Sequence, residues 1–112
     1  MIIRNLTHDI VLAEIGRKAD TPTWRLRGMI GRRFDAFDAL VFERCNNIHT
    51  CFMSIALDVV FIDADDCVCG LRPNMVPWRF AVCLRAGRVI ELPAGALEGS
   101  GTAIGDKIGM MS

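Results

Sequence analysis

Apolar residues along this chain come in short runs, several of them alternating with polar positions, and most runs end at residues that turn the backbone. Such spacing favours strands over helices. Asp9 to Ile15 alternates in part and is rich in Ile, Val and Leu, which predicts an early strand. Further strands are expected at Ala39 to Glu43, Ile48 to Met53, Leu57 to Ile62, Cys67 to Leu71, Phe80 to Leu84 and Val89 to Leu92, with a weaker one near Lys107 to Met110. One segment has helical spacing instead: Trp24, Leu26, Met29 and Ile30 recur through Arg33, behind Thr21 as a cap and Pro22 at the first helical position. Gly28 and Gly31 weaken that helix by about 1 kcal/mol each relative to Ala, so packing has to hold it.

The turns supply the topology. Asp63-Ala64-Asp65-Asp66 predicts a hairpin between the strands on either side, and Arg85-Ala86-Gly87 predicts another. Pro73 and Pro77 mark Arg72 to Trp78 as a loop between sheets or around an edge. The glycines from Gly95 to Gly105 carry the chain around a corner. The expected fold is mainly β (α+β), a compact antiparallel sandwich or barrel of about seven short strands with one short helix. No repeat or linker interrupts it, so residues 1–112 are expected to form a single domain.

Composition narrows the function. A chain of 112 residues that is 52% hydrophobic can bury one core and is not disordered. Thirteen basic residues balance thirteen acidic ones, which argues against a general nucleic-acid or anionic-membrane binder. Arg4, His8 and Asp9 interrupt the N-terminus before a secretory signal can develop, and no uncharged run nears the roughly 20 residues that cross a bilayer. A cytoplasmic protein is expected, with its five cysteines mostly reduced.

Few constellations carry chemistry. Cys45, His49 and Cys51 are soft-metal ligands by type, but Cys45 and His49 would lie about 13 Å apart on an extended strand. A structural metal would therefore need His49 and Cys51 together with Cys67 or Cys69 from another strand. Buried thiols acting as small hydrophobes are the plainer reading, and disulfide or redox pairing is the remaining one. Asp63, Asp65 and Asp66 lack the glycine and distal glutamate of a calcium loop. Gly99-Ser100-Gly101 opens no helix that could hold a phosphate, and Ser54 and Ser100 have no nucleophile elbow. Two carboxylates stand out. Asp58 opens the run Val59-Val60-Phe61-Ile62, and Glu91 sits within Val89-Ile90-Glu91-Leu92, so each must be paired, hydrogen-bonded or protonated. Arg27, Arg79 and Arg88 are the candidate partners.

At these residues the sequence resembles the DUF192 family, also called UPF0127. Arg27-Gly28-Met29-Ile30, Phe52-Met53, Leu57-Asp58-Val59-Val60-Phe61-Ile62-Asp63, Val89-Ile90-Glu91-Leu92-Pro93-Ala94-Gly95 and Gly105-Asp106 follow in the family's order. The resemblance covers roughly Thr21 to Ile108 and implies a small, mainly β domain with a short helix, without supplying an activity. Two departures matter. Where the family commonly has aromatic-Met-Lys-Asn-Thr, this chain has Phe52-Met53-Ser54-Ile55-Ala56, and the secretory or lipoprotein signal frequent in the family is not evident. The matching positions Arg27, Met53, Asp58, Glu91, Gly95 and Asp106 are the candidate ligand-binding residues.

The leading expectation is a non-catalytic module that binds a small ligand or a protein segment near Arg27 and the Met53–Asp58 segment, with no cofactor. One alternative is a small enzyme using Asp58 or Glu91 as acid or base beside an arginine; the other is the metal site at His49 and Cys51. Met75, Val76 and Trp78 could expose an apolar patch suited to a homodimer.

Overall fold

The computed structural model describes residues 1–112. Its ten strands are β1 (Ile2–Asn5), β2 (Ile10–Ala13), β3 (Gly16–Lys18), β4 (Ala39–Glu43), β5 (Asn47–His49), β6 (Leu57–Ile62), β7 (Val68–Met75), β8 (Phe80–Val82), β9 (Arg88–Pro93) and β10 (Ile108–Met111), with one helix, α1 (Pro22–Arg27). They form a three-stranded sheet in the order β10-β1-β2, a five-stranded sheet in the order β3-β4-β9-β6-β7, and a two-stranded ribbon of β5 and β8. This is a mainly β, α+β fold without a closed barrel. No helix is long and apolar enough to cross a membrane.

The five-stranded sheet is apolar on both faces, and the period-2 alternation of side chains assigns each residue to one of two cores. Val41, Val60, Ile62, Ile90 and Leu92 pack with Ile3, Leu12, Ala13 and Ile108 of the three-stranded sheet. Leu40, Phe42, Val59, Phe61 and Val89 pack on the other side with Met29, Met53 and Ala81. Burial on both sides explains why β6 reads as a continuous apolar run and is buried at all six positions.

Several elements differ from expectation, each for a local reason. The helix stops at Arg27 because Gly28 follows at φ 52° and caps it through Trp24 O. Its N-terminus is as expected, with the Thr21 side chain accepting from the Trp24 amide and Pro22 entering the first turn. The strand expected from Ile48 to Met53 ends at His49. There Thr50 turns the chain: its Oγ1 donates to Val76 O at 2.7 Å and accepts from the Arg79 amide at 2.9 Å.

The Asp63–Asp66 turn does join an antiparallel pair, β6 and β7. Arg85-Ala86-Gly87 does not, because β8 pairs with β5 while β9 lies between β4 and β6. Pro73 falls inside β7, which its place at the sheet edge allows. β3 runs parallel to β4, an exception to the antiparallel expectation. Met75 is buried, whereas Trp78 is exposed and meets exposed Phe52 edge-on at a centroid distance of 4.6 Å.

Candidate functional site

Asp58 and Glu91 sit on neighbouring strands but on opposite faces of the five-stranded sheet. The register pairs Asp58 with Leu92 and Val59 with Glu91, so Glu91 shares a face with Val59 and Asp58 shares the opposite one with Leu92. The two carboxyls accordingly meet different surroundings.

Asp58 is enclosed by backbone donors. Its Oδ1 accepts from the Asn74 amide at 2.7 Å, and its Oδ2 accepts from the amides of Gly95 at 3.1 Å and Leu97 at 2.8 Å. It thereby ties the loop after β9 and the end of β7 to the central strand. Gly95 takes φ 95°, a left-handed conformation that suits glycine in this turn. Asp106 is a second such anchor. It accepts from Asn5 Nδ2 at 3.0 Å and from the Ala103 amide at 2.9 Å, and lies 3.1 Å from His8 Nε2. The Asn5 hydrogen bond, then that from Ala103, holds its carboxyl below the usual aspartate range.

Glu91 is different. It is 3% exposed, and its Oε1 has no hydrogen-bond partner. Arg88 is engaged elsewhere, with Asp66 and Glu43, and Arg79 donates to Trp78 O. An isolated buried carboxylate is costly, so the proton stays on. Burial pushes the Glu91 carboxyl up to about 8.

This carboxyl lines a cleft of about 500 Å³, a volume typical of small-molecule sites. The walls come from the end of α1, the β4–β5 connection, Met53 and the turn before β9. Arg27, Met53 and Glu91 meet here. Asp58 and Gly95 line a separate depression, and Asp106 lines neither. The wall also carries Arg25, Arg44 and His49, and Glu91 is its only acidic residue.

Two of these arginines are positioned by backbone. Arg25 Nη1 donates to Glu43 O at 2.6 Å, and Arg27 Nε donates to Ile30 O at 2.9 Å. Arg17 and Arg32 lie nearby, their guanidiniums over the Trp24 ring at 4.3 and 3.8 Å. Burial first, then the charges of Arg27 and Arg17, lower the pKa of Arg32, which marks this side of the molecule as a field of like charge. Gly28 opens the site: a Cβ there would lie 3.3 Å from Phe42 Cζ and 3.9 Å from Glu91 Oε1.

In the sequence His49 stands out by residue type for metal chemistry, whereas nothing there marks Arg25 or Arg44 as part of a site. Their apolar-flanked neighbour Glu91 was the usable signal; the arginines stand in polar segments with nothing to set them apart. The metal alternative has little geometry behind it. His49 Nδ1 accepts from the Cys51 amide at 3.2 Å, and nowhere do three or more His, Cys, Asp or Glu side chains come together as a metal would need.

Similar proteins agree on the fold. A crystal structure of a protein of unknown function from Novosphingobium aromaticivorans DSM 12444 superposes with a TM-score of 0.79 at 19% identity, over 97% of this chain and 82% of that one. A proposed transcription regulator from Sinorhizobium meliloti 1021 gives a TM-score of 0.76 at 23% identity, over 96% and 89% of the two chains. A UPF0127 protein of Pyrococcus furiosus is 33% identical over 63 residues, which make up 55% of this chain and 53% of that protein. The match thus spans about half the length of this curated relative. The model of the DUF192 family, described as an uncharacterised group, matches residues 5–110, and on that extent the chain belongs to the DUF192 family.

Proposed function

We propose that this protein is a binding module that holds a small carboxylate or phosphate anion, without turning it over, in the cleft between α1 and β5. The observation that carries the reading is the unpartnered Glu91 Oε1 in a cleft whose basic wall residues are Arg25, Arg27, Arg44 and His49. Near neutral pH the Glu91 carboxyl is mostly protonated, so it both donates and accepts a hydrogen bond without repelling a negative ligand. The arginine wall supplies attraction, and planar guanidinium groups suit carboxylate and phosphate oxygens. A cationic ligand would meet a neutral carboxyl and three guanidiniums.

Thermal denaturation with succinate, inorganic phosphate and butane-1,4-diamine tests this. Stabilisation by at least one of the two anions, weakening with added sodium chloride and lost in both Arg27→Ala and Glu91→Leu, is expected. An equal rise in the variants would reflect bulk salt action and remove the site from consideration. Stabilisation by the diamine alone, or by none of the three, overturns the reading.

A second reading uses the same carboxyl as a general acid, because a proton held up to about pH 8 is available at neutral pH and His49 lies in the same cleft. Chemical change of a bound anion on prolonged incubation, followed by proton NMR, would favour catalysis; unchanged anion supports binding alone.

A further inference from the structure

Of the five cysteines, two touch. The sulfurs of Cys69, in β7, and Cys83, directly after β8, are 3.3 Å apart, and the Cys83 thiol also lies 3.6 Å from Cys69 O. The others lie against backbone or stand apart: Cys45 Sγ is directed at Asn47 O and Cys67 Sγ at Asp65 O. The contact is a built one. Gly70 leaves room for it, since a Cβ there would lie 3.4 Å from Cys83 Sγ and 3.2 Å from Phe61 Cδ2. It also joins parts that share no backbone ladder, because β7 is the edge of the five-stranded sheet and β8 belongs to the ribbon with β5. Both thiols are half-buried, and Cys83 stands between the exposed residues Val82 and Leu84.

We propose that Cys69 and Cys83 form a thiol–disulfide exchange site whose co-substrate is a low-molecular-weight disulfide such as oxidised glutathione. The bond requires the sulfurs to close by about 1.3 Å, a movement within reach of side-chain rotation and small loop adjustment. The Cys83 thiolate attacks one sulfur of the disulfide, forming a mixed disulfide and releasing one thiolate, which takes up a proton. Cys69 then gives its proton to solvent and attacks the Cys83 sulfur, and the second small thiol departs. Two protein thiols are oxidised to one disulfide, and one small disulfide is reduced to two thiols.

The order follows from the environment. Cys83 is flanked by the exposed residues Val82 and Leu84, which give a small disulfide its approach to that sulfur, and burial first, then the neighbouring Cys83, raises the Cys69 thiol to about 12. Once Cys83 carries the mixed disulfide its negative charge is gone, and one of the influences raising Cys69 goes with it.

The test uses the reduced, full-length chain in oxidised glutathione at about pH 8, quenched with an alkylating agent and read by intact mass and peptide mapping. A product with three alkylated thiols and two hydrogens fewer, with Cys69 and Cys83 in one linked peptide that reductant separates, is expected. Cys69→Ser should instead accumulate a single glutathione on Cys83, and Cys83→Ser should form no internal disulfide. Five alkylated thiols in the wild type, glutathione adducts without the internal link, or a Cys69 disulfide in Cys83→Ser would each overturn the proposal. None of these readouts depends on the arginine-walled cleft.

Discussion

Glu91 shows how one position can be legible in sequence while its consequence is not. A carboxylate inside Val89-Ile90-Glu91-Leu92 announces a burial problem, and Asp58 ahead of Val59-Val60-Phe61 announces the same one. The answers are opposite, three backbone amides for Asp58 and a retained proton for Glu91, because cross-strand register places the two on opposite faces. Nothing local to either segment encodes that register. The Glu91 answer makes stability pH-dependent. Its carboxyl is raised from an ordinary 4.5 to about 8 in the folded chain. The folded state therefore keeps a proton that the unfolded state loses, and the contribution is full below about pH 4.5 and falls as pH rises towards 8. In Glu91→Gln this decline should vanish. Urea midpoints across that pH window would show the wild type losing stability with a slope of up to about 1.4 kcal/mol per pH unit relative to the variant. Parallel curves for the two proteins would contradict a retained proton.

At the scale of elements, local signals located most strands and blurred their ends. Thr21 and Pro22 fixed the start of α1 where it was expected, since capping is a matter of adjacent residues. The end was harder. Met29 and Ile30 keep a helical spacing, yet Gly28 leaves the helical region, and the two side chains reach the core from turns instead. Likewise β1 and β3 carry weak local signals, being four and three residues long, and each leans on a strand far along the chain, β10 for β1 and β4 for β3. Gly28 links this boundary to the cleft. Gly28→Ala places a methyl at φ 52° and 3.3 Å from Phe42 Cζ, so a loss of about 1–3 kcal/mol is expected. The same methyl crowds Glu91 Oε1, so any stabilisation by succinate or phosphate should shrink as well. Urea denaturation reads the first effect, and a variant as stable as the wild type would mean the α1 terminus relaxes freely.

The whole molecule balances its charges in number but not in position. Thirteen basic against thirteen acidic residues hides the gathering of Arg17, Arg25, Arg27, Arg32 and Arg44 around α1. Composition could not reveal it, because the clustering is made by strands and turns that bring Arg44 beside Arg25 across 19 positions of chain.

The division into a doubly covered sheet and a small outlying ribbon also sets how the protein breathes. β6 lies between two cores and shares ladders with both β7 and β9, so its amides should exchange with solvent deuterium only when the entire fold opens. The β5–β8 ribbon pairs over three positions and leaves Phe80 and Val82 exposed. Its amides should exchange through a local opening of much lower free energy. Native-state exchange under increasing denaturant would then give two separate isotherms, and a single shared one would mean that the ribbon and the sheet open as one unit.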